Sequence, residues 1–162
     1  MRPTRTAWTP SSILLAATGA TLILAGLYFL LLRPALLLED VRYIDLSTAE
    51  LAAGRPRLEA WLGHVFRVMG GYVLATGALT VTLAVTTFRA HHWAAAVGAL
   101  IGGAASIGLM AAVNFAISSD FKWVLLGMGL LWASSLALYG LETGSVRVSR
   151  SSQSERKLDV RG

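Results

Sequence analysis

The sequence predicts an all-α fold: a polytopic membrane protein built as an antiparallel bundle of four transmembrane helices. Four long apolar stretches carry no charged side chain: residues 13–32, 68–88, 93–117 and 123–141. Each has about the 20 residues that a helix needs to cross a hydrocarbon layer roughly 30 Å thick. Of the 162 residues, 55% are hydrophobic and only 14% are charged, against about 25% charged in soluble proteins. One membrane domain, residues 1–143, therefore accounts for the fold.

The first apolar stretch predicts a membrane span that the protein retains. Pro10, Ser11 and Ser12 suit a helix start, and Pro34 suits a stop. A secretory signal has an apolar region of only about 7–15 residues followed by a small-residue cleavage site. The stretch at residues 13–32 is longer and ends in Leu-Leu-Leu before Arg33.

The connection at residues 33–67 predicts short helices outside the membrane. Residues 47–50 have the Ser-x-x-Glu form of a capping box, Gly54 can close that helix, and Pro56 suits the first turn of the next. Helical spacing then relates Leu58, Trp61, Leu62, Val65 and Met69. The second span is therefore predicted to begin as an amphipathic extension.

The remaining connections are short, and the last segment is polar. Turns at residues 89–92 and 118–122 make consecutive spans antiparallel neighbours. Residues 144–162 are rich in serine and have no apolar periodicity. This composition predicts a disordered, basic cytoplasmic tail.

The distribution of basic residues predicts that both termini are cytoplasmic; the resemblance described below implies the inner membrane of a bacterium. With four spans and the termini inside, eight of the 14 Lys and Arg residues lie on the cytoplasmic side. The net charge of +5 follows from these flanking residues. The sequence therefore predicts the lipid bilayer as a partner and no nucleic acid.

Several kinds of chemistry have no support in the sequence. The chain has no cysteine, which excludes disulfides, thiolate metal sites and dithiol redox chemistry. His91 and His92 are adjacent and are interpreted as a solvated loop pair, so no metal site or cofactor is predicted. No apolar stretch contains Asp or Glu, which argues against a proton-coupled exporter.

Small residues predict the helix-packing surfaces. Ala94, Gly98, Gly102 and Ser106 recur every four residues, and the Gly-x-x-x-Gly they contain favours close helix packing, within the monomer or between copies. Gly19 and Gly26 of the first span, like Gly70 and Gly77 of the second, are seven residues apart. Antiparallel helices could pair Gly26 with Gly70 and Gly19 with Gly77. Asn114 is predicted to bond to a neighbouring helix.

Polar residues near the outer end of the second span form a candidate site. His64 and Arg67 share one helix face. Three interpretations remain: a salt bridge from Arg67 to an acid of the outer loop, anchoring at the membrane interface, or a site for a polar ligand or quinone head. The acids available for the salt bridge are Glu39, Asp40 and Asp45.

Residues 66–77, Phe-Arg-Val-Met-Gly-Gly-Tyr-Val-Leu-Ala-Thr-Gly, resemble a pattern found in small bacterial four-helix membrane proteins of unknown function. Those proteins are similar in turn to the DoxX-like group, some of whose members accompany quinone-linked oxidoreductases. The shared residues are Arg67, Gly70, Gly71 and Gly77. The resemblance implies a four-helix fold and assigns these residues no chemistry.

Two functions are compatible with the sequence, and an enzyme is a third with less support. The first is a non-catalytic protein that acts through helix packing, as a homo-oligomer or an accessory subunit of a larger membrane complex. The alternative is a binder or carrier of a lipophilic small molecule, such as a quinone or lipid. Its candidate contacts are His64, Arg67, Tyr43, Trp61 and Tyr72. An enzyme would need His64 or an outer-loop acid as its acid/base group.

Overall fold

The computed structural model describes residues 8–45, 49 and 56–159, with side chains as far as residue 144. The described chain is helical and contains no strand. The α-helices are α1 (Pro10–Leu31), α2 (Leu38–Ile44), α3 (Pro56–Leu83), α4 (Trp93–Gly103), α5 (Leu109–Ala116) and α6 (Lys122–Asp159). A π-helical turn, Ala84–Phe88, extends α3, and a second, Ala104–Gly108, joins α4 to α5. The predicted capping box at residues 47–50 and Gly54 lie outside the described residues, apart from helical Ala49.

Four helical stretches of the described chain are long and apolar enough to cross a membrane. They are Pro10–Leu31, Arg57–Phe88, Trp93–Ala116 and Lys122–Gly144, and they correspond to the four predicted stretches. The second has 32 residues, or about 48 Å at 1.5 Å per residue, which exceeds a hydrocarbon layer of about 30 Å. The helix start predicted at Pro56 is confirmed.

The start of α1 follows from its capping residues. Thr9 has extended backbone and accepts a hydrogen bond from the backbone N–H of Ser12, whose hydroxyl oxygen accepts one from the N–H of Thr9. Pro10 occupies the first turn, where a missing N–H costs nothing. The predicted start of the first helix is therefore confirmed.

Helices α1 and α3 make the most extensive contact in the bundle, and glycines allow it. A Cβ atom on Gly26 would lie 2.5 Å from the backbone nitrogen of Leu74, and one on Gly70 would lie 3.0 Å from the carbonyl oxygen of Gly26. A Cβ atom on Gly19 would lie 2.8 Å from the carbonyl oxygen of Gly77. These are the two glycine pairs that the seven-residue spacing indicated. The backbones touch because no side chain separates them.

Within the monomer, α4 packs through a face other than the one that carries the predicted stripe of small residues. Ala94, Gly98 and Gly102 are exposed, and a Cβ atom on Gly102 would meet nothing within 4 Å. The contact is made one residue further on, where a Cβ atom on Gly103 would lie 1.9 Å from Trp132 Nε1. The prediction that the Gly98–Gly102 stripe packs within the monomer is wrong, because a spacing of four identifies a helix face but not its neighbour.

Helix α6 continues beyond the fourth apolar stretch as far as Asp159. The structure thus differs from the prediction of a disordered tail from residue 144, and residues 160–162 lie outside the described part. Extending an existing helix adds one hydrogen bond for each residue fixed and needs no new nucleus. A polar segment can therefore remain helical when it follows a stable span.

The bundle is tightly packed in one half and divided in the other. In the closed half, a core joins α1, the first π-helical turn, α4 and α6: Leu15, Ala84, Phe88, Ala95, Ala99 and Tyr139. In the open half, α1 stays on α3 while α5 packs on α6. A cavity separates these two pairs.

Candidate functional site

The cavity in the open half has a volume of about 650 Å³, within the range of about 300–1,000 Å³ that is typical of small-molecule sites. Its wall comes from α1, α3, the second π-helical turn, α5 and the start of α6. The larger apolar side chains in the wall are Leu22, Phe29, Phe66, Met69, Leu109, Met110, Ile117, Phe121 and Met128. Three flexible methionines among them can adapt to ligand shape. The wall therefore suits an apolar molecule.

The polar side chains deep in the wall use their donors on their own helices. Thr76 donates its hydroxyl to the carbonyl oxygen of Tyr72 at 2.8 Å, and Ser106 donates to that of Gly102 at 2.6 Å. Asn114 donates from Nδ2 to the carbonyl oxygen of Met110 at 2.9 Å. The predicted bond from Asn114 to a neighbouring helix is therefore wrong, since the helix supplies an acceptor one turn away. Thr76 and Ser106 therefore offer no free donor, whereas Asn114 keeps a second amide N–H, and Tyr28 and Tyr72, which carry hydroxyl groups, also line the cavity.

One end of the cavity is polar and contains Arg33, Glu39 and Asp40. The Arg33 side chain is only 6% exposed and donates from Nη2 to Asp40 Oδ2 at 2.9 Å. Its guanidinium carbon lies 3.5 Å from the ring centroid of Phe66 and 5.3 Å from that of Phe29. A cation held over aromatic rings and paired with a carboxylate is fixed in position. We call these three residues the polar end.

Helix α2 bridges the two sides of the cavity at the polar end. On one side, Asp40 of α2 pairs with Arg33, just after α1. On the other, Glu39 Oε2 accepts from the hydroxyl of Ser119 at 2.9 Å and from the backbone N–H of Asp120 at 2.8 Å. Arg42 adds an exposed ion pair with Asp120 at 2.8 Å. The helix is therefore fastened at both sides of the cavity.

The structure brings only one of the five sequence-predicted contacts to the cavity. Tyr72 lines it, whereas His64, Arg67, Tyr43 and Trp61 are exposed and do not. Among residues 8–45 and 57–144, Arg67 makes no salt bridge to Glu39, Asp40 or Asp45, so that interpretation is wrong. Asp40 pairs with Arg33 instead. Sequence reasoning treated Arg33 only as the end of the first span. The sequence feature that could have indicated its role is the acidic residue Asp40, seven positions further on.

A second polar cluster ties together the closed half. Glu142 Oε1 accepts from the backbone N–H of Ser11 at 3.0 Å, and Glu142 Oε2 accepts from the Ser11 hydroxyl. His91 Nε2 lies 3.1 Å from Glu142 Oε2, and its ring stacks on Tyr139 at 5.2 Å between centroids. His91 has a φ of 56°, a left-handed conformation in which His is enriched. The interpretation of His91 as a solvated loop residue is wrong.

This cluster contains serine, histidine and a carboxylate, but not in the order of a catalytic triad. A nucleophile needs its base within hydrogen-bond reach. Here the Ser11 hydroxyl donates to Glu142, and that carboxylate stands between the serine and His91. Ser11 is also completely buried. The cluster joins the start of α1, the turn after α3 and the end of the fourth apolar stretch.

Comparisons with protein families, with curated proteins and with solved structures found no match. The resemblance of residues 66–77 to the DoxX-like group therefore stays a prediction. The fold and the site define the class of the described chain: an all-helical protein with four helices of membrane-spanning length and an apolar cavity between them.

Proposed function

We propose that the protein is a four-span antiparallel bundle of a bacterial cytoplasmic membrane, with both termini inside, and that it binds a lipophilic small molecule in the cavity. The four apolar helices and the distribution of basic residues support the topology. The cavity at their centre supports the binding function. Its apolar wall and single polar end have the form of a site for an elongated amphiphile.

The topology can be tested by labelling because the chain has no cysteine of its own. Tyr43 and His92 are exposed and lie at opposite ends of the bundle. In intact cells, a membrane-impermeant maleimide should label Tyr43→Cys and leave His92→Cys unlabelled until the membrane is opened. Labelling of His92→Cys alone would reverse the orientation, and equal labelling of both would contradict the membrane topology.

The observation that carries the binding function is the cavity, so filling it is the direct test. Ala25 lines the cavity on α1, while Ala20 is an exposed residue of the same helix that does not. Native mass spectrometry from detergent should show wild-type protein and Ala20→Phe retaining an added lipophile, supplied as a mixture of oleate, methyl oleate and oleylamine. Ala25→Phe should retain none, because its ring would occupy the site.

Equal retention by Ala25→Phe and Ala20→Phe would contradict the assignment of the cavity. Binding of none of the three probes by wild-type protein would overturn the binding function. Circular dichroism and thermal unfolding of both variants would show that each is folded, so that a lost ligand can be attributed to the filled cavity.

A second candidate function is self-association or assembly with a larger membrane complex, and the exposed face of α4 favours it. A Cβ atom on Gly102 meets nothing within 4 Å in the monomer, so this small-residue surface remains available to another helix. In blue-native electrophoresis, Gly102→Leu should dissociate any oligomer or complex. Gly71→Leu, on α3 where a Cβ also meets nothing within 4 Å, should leave it intact. Identical migration of the two variants would contradict this candidate.

A further inference from the structure

Each charged group at the polar end of the cavity already has a partner, although one guanidinium and two carboxylates leave a formal sum of −1. Arg33 pairs with Asp40 at 2.9 Å. Glu39 accepts from Ser119 and from the backbone N–H of Asp120, in the turn that precedes α6. Backbone N–H groups at the start of a helix carry partial positive charge and complement a carboxylate. A charged ligand would find no unpartnered charge at this end and would lose hydration in a largely apolar cavity, which is costly.

Arg33 nevertheless has hydrogen-bonding capacity left. A guanidinium has five N–H donors. Among the described residues, Arg33 uses one for Asp40 Oδ2 and one for the carbonyl oxygen of Pro34 at 3.1 Å. The ring of Phe66 covers one face of the guanidinium, 3.5 Å from its central carbon. A ring in this position accepts no hydrogen bond from the N–H groups in the guanidinium plane. The remaining in-plane donors suit an oxygen acceptor.

Arg33 is the one cationic donor among the described residues that line the cavity. Thr76 and Ser106 donate to carbonyl oxygens of their own helices, and Asn114 uses one of its two amide N–H groups in the same way. Tyr28 and Tyr72, which carry hydroxyl groups, also line the wall, but a donor that carries a charge makes the stronger hydrogen bond. A ligand in the cavity therefore finds its strongest hydrogen bond at the polar end and mainly apolar contact elsewhere.

We propose that the cavity selects an uncharged lipophilic molecule whose polar end is a carbonyl or ester oxygen, to which Arg33 donates. This inference rests on the proposed binding function and specifies its ligand class. Asp40 acts as the selectivity residue. Its carboxylate cancels the charge of Arg33, so the guanidinium serves as a hydrogen-bond donor and does not attract an anion.

The test uses three probes with the same hydrocarbon chain and different polar ends. Oleate is an anion, methyl oleate is a neutral acceptor, and oleylamine is a cation at mildly alkaline pH. Full-length protein in nanodiscs should bind methyl oleate about tenfold more tightly than either ion, a ratio equal to about 1.4 kcal/mol. Asp40 Oδ2 also accepts from the backbone N–H of Leu37 at 2.9 Å. Asp40→Asn keeps an oxygen for that N–H and removes the charge that compensates Arg33, so it should raise oleate affinity about tenfold. Asp45→Asn, at the exposed end of α2, should leave the order of the three affinities unchanged.

The outcomes distinguish the proposed ligand class from the proposed binding function. If wild-type protein binds oleate or oleylamine as tightly as methyl oleate, or if Asp40→Asn leaves the preference unchanged, the ligand class is wrong while the binding function stands. If no probe binds to any variant, the binding function itself fails. Native mass spectrometry also separates two sources of an ester carbonyl, because a bilayer phospholipid and the added methyl ester differ in mass. Retention of phospholipid in place of methyl oleate would assign the site to the bilayer lipid and would contradict the preference for an uncharged molecule, because a phospholipid carries a phosphate.

Discussion

Trp132 donates its indole Nε1–H to the carbonyl oxygen of Ala99 at 2.9 Å, joining α6 to α4. The same ring occupies the space next to Gly103, where a Cβ atom would lie 1.9 Å from Nε1. The contact between these two helices therefore depends on a glycine at this position and on an indole that fills it. It lies at the border between the closed half and the cavity.

Replacing Gly103 by alanine should destabilise the protein. The new methyl group must displace Trp132 and break its bond to Ala99, and overpacking of this kind costs about 1–3 kcal/mol. Gly102→Ala is the matched control, because a Cβ there meets nothing within 4 Å. Thermal unfolding in detergent should show a lower midpoint for Gly103→Ala only. A lower midpoint for Gly102→Ala would mean that the exposed stripe packs after all.

The contact between α1 and α3 should be equally sensitive. Gly26→Ala places a methyl group 2.5 Å from the backbone nitrogen of Leu74, so the two backbones must move apart, at a cost of about 1–3 kcal/mol. Gly71→Ala on α3 should change stability little, because the added Cβ enters open space. The measurement is the midpoint of unfolding in a mild detergent. Equal midpoints for both variants would contradict the backbone contact.

Glu142→Gln should loosen the closed half. The carboxylate accepts from the backbone and hydroxyl of Ser11 and contacts His91, whereas an amide has only one accepting oxygen. Loss of one bond to a charged acceptor costs about 1.5–3 kcal/mol. Glu59→Gln, at an exposed site on α3, is the control. Hydrogen exchange should increase at residues 11–14 in Glu142→Gln alone, and unchanged exchange there would contradict the role of the carboxylate.

Helix α2 should control how fast a ligand leaves the cavity. Glu39→Ala removes two hydrogen bonds to the turn before α6, so methyl oleate should dissociate about tenfold faster for each 1.4 kcal/mol of stabilisation lost. Arg42→Ala breaks only an exposed ion pair with Asp120, and such pairs contribute about 0–1 kcal/mol. Stopped-flow displacement compares the two rates. Equal dissociation rates would show that α2 is not the barrier.

The helices and one of their interfaces could be predicted from sequence because they depend on local properties. A long uncharged stretch specifies both helix length and apolar surroundings, and the spacing of Gly19 and Gly26 specifies a face with no side chains. The prediction that Gly98 and Gly102 pack within the monomer failed because it also used spacing alone. Spacing identifies a smooth face, but the neighbour is chosen by the fold, and Trp132 packs against Gly103.

The cavity could not be predicted, since it results from the divergence of two helix pairs. No short pattern shows that α5 leaves α1 and α3 in the open half. The sequence pattern therefore indicates His64 and Arg67, which are exposed, and not Arg33, whose side chain is 6% exposed. Arg33 follows an apolar stretch directly, a position where a basic residue is usually a simple membrane flank.

The bonds between Ser11 and Glu142 connect residues that are 131 positions apart. During synthesis, α1 and α3 can pair as soon as both have emerged, but the first turn of α1 must wait for the fourth membrane-length helix before its acceptor exists. Such long-range contacts are formed late because their loops are expensive to close. The order of assembly is therefore built into the connectivity: the helix that carries Glu142 completes the start of α1.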